Sequence, residues 1–329
     1  MKIVVLGTGA WGTALASVLC DADHEVTVWG RDELKIQELD SLRVHPKLKN
    51  STVSKKIHFE KDFEKAVTGK DLIVESVSSR GLRSVLANLK KYWTEGVPVV
   101  VTSKGIEMES GLLFTEIASQ FIPQKWVGCI SGPSLADGVM RKLPTTVVAS
   151  GYELNTITMI CKAFNNAYFR VYPNSDVLGV SLGGALKNII AIACGISDGL
   201  SYGDNTKAAL MTRGLHEIRK MGIKKGCFEA TLNGLSGMGD LCVTCLSNLS
   251  RNYQFGYFLA QGLSYTEAYE KVGMVVEGAY TVKAARQLAK KYDCPMPITE
   301  VVYQIIYEGL EAPSAVKQLL QRTIKDEHL

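Results

Sequence analysis

The chain has 329 residues, 46% of them hydrophobic and 21% charged, with a formal net charge of +4. That length exceeds one ordinary core and argues for two globular domains. So small a charge leaves room for a local basic pocket but excludes the basicity of a nucleic-acid binder.

Met1 leads straight into an apolar strand, so no signal peptide is expected, and no apolar run is expected to reach the length of a membrane span. Eight cysteines lie scattered, mostly within apolar runs, as in a reduced, cytoplasmic protein. Cys242 and Cys245 form a lone CxxC without a second pair or a nearby histidine, for which a structural role is expected.

Residues 2–7 (KIVVLG) have the pattern of a buried strand and run into Gly7-Thr8-Gly9-Ala10-Trp11-Gly12. A helix is expected over 13–20 and a second strand over 25–30. A bare GxGxxG carries little information. Between a strand and a helix, with a second strand following, it is a dinucleotide-binding fingerprint. Its glycines let the backbone approach a pyrophosphate, which the helix N-terminus stabilises. The second strand ends at Arg31-Asp32. Asp32 could accept from the ribose hydroxyls of NAD(H), whereas Arg31 could clamp the 2′-phosphate of NADP(H). Residues 41–70 are polar and lysine-rich and read as a solvated loop, with a short strand at 57–59 and a short helix at 62–67. Acidic residues interleave there, against a nucleic-acid patch. His45 in that stretch reads as a surface residue within reach of a cofactor ring.

Strands are then expected at 71–77, 98–102, 126–130, 145–149 and 168–171, with helices at 80–91, 112–121 and 154–164. This is an α/β pattern, a Rossmann-type doubly wound sheet. Ligands of such sheets lie outside the carboxyl ends of the strands. Lys104, Gly132 and Ser134 all fall just past such ends. Turn chemistry would account for any one of them, but three together argue for a polar pocket.

Beyond Asn174 the periods are helical, so a dinucleotide-binding domain (1–176) should give way to an all-α domain (177–329). The stretch SLGGALKNIIAIACGISDGL, 181–200, reads as a helix apolar around almost its whole circumference, hence buried. Lys187 and Asn188 sit in its middle. A buried ammonium needs a partner, a lowered pKa or a wet cavity, unless it snorkels outward along its stem. Helices follow at 205–221 and 227–232. Residues 234–240 look too rich in glycine to be helical and should bring backbone close to a neighbour. Asp240 emerges from them as a ligand carboxylate or a helix N-cap. Ser250-Arg251-Asn252 opens a helix over 253–261, and its hydroxyl, guanidinium and free amides suit a phosphate. Ser264 and Glu267 form a capping box. Val275-Val276-Glu277-Gly278 precedes a helix over 279–292. Another is expected over 299–309, Pro313 opens the last one, and 325–329 should fray.

Taken together, GTGAWGTALA, SKGIE, SGPSLA, ALKNIIAIACGISDGL, GMGDL, SNLSRN and VVEGA closely resemble the bacterial NAD(P)-dependent glycerol-3-phosphate dehydrogenases. The resemblance runs from residue 3 to beyond 280. It implies reversible hydride transfer between a nicotinamide, NADP(H) preferred with NAD(H) also accepted, and dihydroxyacetone phosphate or sn-glycerol 3-phosphate, supplying glycerophospholipid synthesis. By position Lys187 corresponds to the catalytic lysine. Lys104, Gly132, Ser134, Asp240, Ser250, Arg251 and Asn252 correspond to substrate positions. Gly7, Gly9, Ala10, Trp11, Gly12, Arg31, Ala136, Val275 and Glu277 correspond to dinucleotide positions, with Lys104 and Arg251 facing both ligands and His45 near a further cofactor position. No metal or nucleic acid is implied, and any protein partner would be a second copy of the chain. The sequence departs from the family pattern in three places. Ala10 stands for a frequent serine, Ser78 for a usual proline, and residues 43–48 for a common Tyr-Leu-Pro pattern. Two rival readings are another dehydrogenase of similar architecture, such as a 3-hydroxyacyl-CoA or 2-ketopantoate type, and a non-enzymatic NADP(H) sensor.

Overall fold

A computed structural model describes residues 1–48, 51–323 and 327. The first half alternates β1 (Lys2–Leu6), α1 (Ala10–Asp21), β2 (Glu25–Trp29), α2 (Glu33–Leu42), β3 (His58–Glu60), α3 (Phe63–Val67), β4 (Leu72–Glu75), α4 (Leu82–Leu89), β5 (Val99–Val101), α5 (Phe114–Ala118), β6 (Val127–Ser131), α6 (Ala136–Met140), β7 (Thr145–Gly151), α7 (Leu154–Phe164) and β8 (Phe169–Asn174). They form one sheet in the order β3-β2-β1-β4-β5-β6-β7-β8. Pairing is parallel from β3 to β6, β7 runs antiparallel to β6, and β8 is parallel to β7.

Alternate residues of β1 feed opposite faces of this sheet, as the period of a strand requires. Ile3 and Val5 pack with α1, α2, α6 and α7, while Val4 and Leu6 pack with α3, α4 and α5. Helices on both faces explain why β1 is apolar from Ile3 to Leu6 instead of alternating. The strand order reverses between β1 and β4, which places the expected ligand crevice at the ends of those two strands.

The second half consists of α8 (Val177–Gly199), α9 (Gly203–Lys224), α10 (Glu229–Asn233), α11 (Asp240–Leu246), α12 (Arg251–Ala260), α13 (Tyr265–Val272), α14 (Glu277–Lys291), α15 (Pro297–Tyr307) and α16 (Ala312–Leu320). Among the described residues no strand follows Asn174. α8 is the axis, wrapped by α9, α11, α12 and α14. It lies closest to α12. A Cβ on Gly195 would fall 2.0 Å from the Tyr253 carbonyl oxygen, and one on Gly256 2.0 Å from that of Ile192. Only glycine permits this approach.

Several expectations need correction. The first helix begins at Ala10 rather than 13, so Ala10, Trp11 and Gly12 form its first turn. α2, α6 and α11 are additional helices. The segment at 41–70 is less solvated than its charge suggests, since Leu48, Val53 and Ile57 are buried and Val44 bridges Thr52. His45 is 2% exposed and no surface residue. Residues 235–239 are helical after all, as one π turn running into α11. Its glycines let backbone abut backbone, with Gly183 of α8 facing the Ser236 carbonyl. α8 is long and apolar enough to cross a membrane, contrary to expectation. It is the core of the helical half, and 89% of its apolar window is buried in protein. The capping box at Ser264 and Glu267 forms as expected and opens α13. The 325–329 tail lies outside the described residues except for Glu327.

Candidate active site

The three glycines of the first loop serve three different ends. Gly7 has φ +132°, and a Cβ there would strike the Ser76 carbonyl that leaves β4. A Cβ on Gly12 would lie 2.4 Å from the Gly7 carbonyl oxygen, so α1 packs tightly under the turn. Gly9 has nothing within 4 Å, which leaves its backbone open to an incoming ligand. Gly9 is the N-cap of α1 and offers no side chain to the free amides. A phosphate would complete them. The Trp11 indole N–H beside them is buried without a partner among the described residues. These features fit a dinucleotide.

His45 supports this loop from beneath. Its Nε2–H donates to the Thr8 carbonyl at 3.2 Å and its Nδ1 accepts from the Lys47 amide at 3.1 Å. The two partners fix one neutral tautomer. Burial, with help from the Lys35 and Lys47 charges and against the Thr8 hydrogen bond, lowers its pKa and so favours the uncharged ring. Lys47, absent from the sequence-based list, donates to the Gly273 carbonyl and so joins the sheet half to the loop before α14. At the end of β2, Arg31 is exposed. The Asp32 carboxylate accepts from the Lys35 amide and caps α2.

The second cluster is built on α8 and α11. Lys187 is 7% exposed and Asp240 1%. The Lys187 ammonium donates to Asp240 Oδ1 and to Thr244 Oγ1, the latter at 2.7 Å. Lys104, from the loop after β5, donates to the other oxygen, Oδ2, at 2.5 Å. Ser131, at the end of β6, donates to the same oxygen at 3.2 Å. The Thr244 hydroxyl proton goes to the Asp240 carbonyl at 2.6 Å, which leaves its oxygen to accept from Lys187. Asp240 is therefore a bridge between two cations, not an N-cap. Gly184 makes the bridge possible, because a Cβ there would lie 2.8 Å from Ser131 Oγ and 3.3 Å from the Lys104 stem.

The electrostatics resolve the tension in the buried ammonium. Burial pushes Lys187 down to about 8, with Asp240 opposing and Lys104 assisting. Burial alone would raise Asp240, but the two ammoniums outweigh it and hold the carboxylate below its ordinary value. A pKa brought that close to neutrality suits a group that must both hold a proton and give it up.

The third cluster links α8, α12 and α14. The Asn252 amide donates to Asn188 Oδ1 at 3.0 Å and accepts from the Gly278 N–H at 2.8 Å. Ser250 caps α12 by accepting from the Tyr253 amide. Arg251 donates to the Val275 carbonyl at 3.1 Å. Its pKa is lowered by burial and supported by Glu277, whose own carboxyl is raised by burial.

Lys104, Lys187 and Asp240 thus meet directly. Gly132, Ser134 and Ala136 stay outside their hydrogen bonds. Gly132 turns the chain at φ +138°, Ser134 donates to the Gly132 carbonyl at 3.0 Å, and Ala136 opens α6 against α1. Ser131, Thr244 and Lys47 make the contacts described above and were not singled out from sequence. A hydrogen-bonding residue at i+4 from Asp240 was the available signal for Thr244. A cavity of about 420 Å³ between α8, α9, α15 and α16 is lined by none of the residues of these three clusters. Among the described residues no group of three or more metal-binding side chains occurs, and all eight cysteines are free.

Two family models cover most of the chain. The N-terminal model of the NAD-dependent glycerol-3-phosphate dehydrogenases matches residues 2–156 and the C-terminal model residues 176–317. A glycerol-3-phosphate dehydrogenase [NAD(P)+] from Protochlamydia amoebophila is 50% identical over 100% of this chain and 99% of its own. One from Chlamydia muridarum is 49% identical over 99% of each chain. The crystal structure of glycerol-3-phosphate dehydrogenase from Coxiella burnetii superposes with a TM-score of 0.93 at 35% identity, covering 98% of this chain and 99% of the other.

Proposed function

The chain belongs to the NAD-dependent glycerol-3-phosphate dehydrogenase family, and from that premise we propose how its own residues carry out the reaction. It is an oxidoreductase that uses NAD(P). The reaction is the reduction of dihydroxyacetone phosphate to sn-glycerol 3-phosphate, and the reverse. When bound, the nicotinamide supplies or takes the hydride. The glycine loop and the first turn of α1 hold the dinucleotide phosphates, and Arg31, Val275 and Glu277 bound the same crevice. Lys187 protonates the carbonyl oxygen as it becomes an alkoxide, and removes that proton in the oxidative direction. Asp240 stays ionised and, with Thr244, keeps the ammonium aimed. Lys104 and Arg251, with the N-terminus of α12, take the substrate phosphate and align the reacting carbon. The observation that carries this reading is the buried Lys187–Asp240–Lys104 bridge at the carboxyl edge of the sheet. A sensor that only bound the dinucleotide would have no use for it.

Residues 1–176 are assigned to the dinucleotide and 177–329 to the substrate. β8 ends at Asn174 and α8 begins at Val177, which supports that division. A cytoplasmic, lipid-supplying role and a homodimer belong to the same proposal, and light scattering of the purified chain would report the latter.

Initial rates on dihydroxyacetone phosphate with NADPH and NADH side by side test the assignment. No turnover with either, beside activity on 2-ketopantoate or a 3-ketoacyl thioester, would replace it with a rival dehydrogenase. Asp32 is occupied as a helix cap, so Arg31 is the side chain left to read a 2′-phosphate. Arg31→Ala should weaken NADPH roughly tenfold or more while leaving NADH nearly unchanged, by the strength of a charge-assisted contact. Equal losses for both cofactors would remove Arg31 from that role.

The Lys187 pKa also sets a pH dependence. The reductive direction needs the ammonium, so kcat/KM for dihydroxyacetone phosphate should fall as pH rises through about 8. The oxidative direction needs the free amine and should rise through the same range. Profiles moving together in both directions would show that another group limits them.

A further inference from the structure

Glu75 ends β4 at the ligand edge and takes no part in the chemistry above. It is fully buried, in register with Leu6 of β1 and Val101 of β5. A carboxyl is costly among such neighbours unless its oxygens are satisfied. Here they are satisfied by two different loops. Oε1 accepts the Val77 N–H at 2.8 Å, whereas Oε2 accepts the Ser103 hydroxyl at 2.7 Å and the Ser103 N–H at 3.4 Å. The Glu75 carbonyl also accepts from the Thr102 hydroxyl at 2.7 Å.

Each loop leads into the site. After β4, the Ser76 carbonyl lies against Gly7, and Arg80 reaches Tyr280 of α14 both by a hydrogen bond and by stacking its guanidinium over the ring. After β5, Ser103 is followed directly by Lys104, whose ammonium is on Asp240. The bond from Val77 to Glu75 restrains the first loop at its start.

We infer that Glu75 is a positioning residue: by holding Ser103 it sets Lys104 against Asp240 and the substrate phosphate. This deepens the proposed function and rests on Lys104 being a substrate contact. The anchor is strongest in the carboxylate form, which accepts every one of those donors. Burial pushes the Glu75 carboxyl up to about 7, with the Ser103, Val77 and Thr102 hydrogen bonds pulling the other way. The groups that face it are neutral (Leu6 from β1, Val101 from β5, Thr102, Ser103 and Val77 from the loops), and the Lys104 ammonium is turned to Asp240. As pH rises through about 7 the carboxylate form takes over and the anchor is completed. As pH falls through that value a proton replaces one acceptor, the Ser103 hydroxyl must turn, and the Lys104 loop loosens.

The test is steady-state kinetics of the full-length enzyme at saturating NADPH, with dihydroxyacetone phosphate varied between pH 6 and 9. In the wild type, KM should rise several-fold toward pH 6. Glu75→Gln cannot ionise, so its KM should be raised about fivefold at pH 8, the worth of roughly one net hydrogen bond. It should change less with pH, and kcat should be nearly preserved. The substrate phosphate itself titrates near about 6 in every variant alike, so the difference between profiles isolates the protein group. Ser103→Ala, which leaves the buried carboxyl in place, should shift KM in the same direction. Glu75→Gln should add nothing in a Lys104→Ala background. A wild-type KM and profile in both Glu75→Gln and Ser103→Ala, or additive losses in the double variant, would overturn the inference and leave Glu75 a packing residue. An unchanged KM in Lys104→Ala alone would instead sink the substrate assignment on which it rests.

Discussion

Replacing Lys187 with alanine should lower reduction of dihydroxyacetone phosphate by roughly 10²–10⁴-fold, the usual worth of a positioned general acid. The dinucleotide should still bind, because Lys187 sits on α8 and the glycine loop is built from β1, α1 and His45. The fold should survive as well. Asp240 keeps Lys104 and Ser131 as partners when Lys187 is removed, so the carboxylate is not left alone. The two measurements are kcat with saturating substrate and an NADPH titration by fluorescence. Turnover near wild type would take Lys187 out of the mechanism. Loss of NADPH binding along with turnover would point to a collapsed site instead.

Asp240→Asn should do more damage to stability, because it removes the single anion between two cations. Lys187 would then be buried beside Lys104 with no anion, only the Thr244 hydroxyl and a single amide oxygen to accept from the two ammoniums. Breaking a buried ion pair by deleting one partner costs about 3–5 kcal/mol, and a denaturant melt should show a loss of that order. The kinetic sign follows from the same charges. Asp240 raises the Lys187 pKa against burial, so its removal must move that pKa further below about 8. The alkaline fall of the reductive rate should shift to lower pH, and at neutral pH less of the lysine would carry a proton to donate. A profile that stays in place while the protein melts early would make Asp240 a purely structural residue. In Asp240→Glu the charge returns but the longer stem disturbs the fit, so partial recovery of the profile would confirm that charge is the operative property.

The mechanism depends on parts that differ in how plainly they show in the chain. The glycine loop is local. Six consecutive residues supply the turn, the close approach and the helix N-terminus, and the strand before them is apolar from Ile3 to Leu6, so sequence alone placed Gly7, Gly9 and Gly12. The same holds for the Ser264 capping box and for α8, where an ammonium in the middle of an apolar helix announces that something must meet it. The start of α1 was misplaced by three residues because Ala10 and Trp11 look like loop next to three glycines. The π turn at 235–239 was missed for a related reason. Glycine is a poor helix former in isolation, but here tertiary packing against Gly183 decides.

Sequence by itself determined the two kinds of architecture, the glycine loop, a lysine in the middle of an apolar helix and the family. It could not say what the lysine meets. Asp240 is 53 residues from Lys187 and 136 from Lys104, and Glu75 is 28 from Ser103. Such pairs leave no periodic trace, since neither partner's local conformation requires the other. Only the folded sheet edge, with α8 and α11 laid against it, brings those charges within hydrogen-bonding range. Desolvation then shifts their proton affinities, and that shift exists only in the interior the whole chain creates.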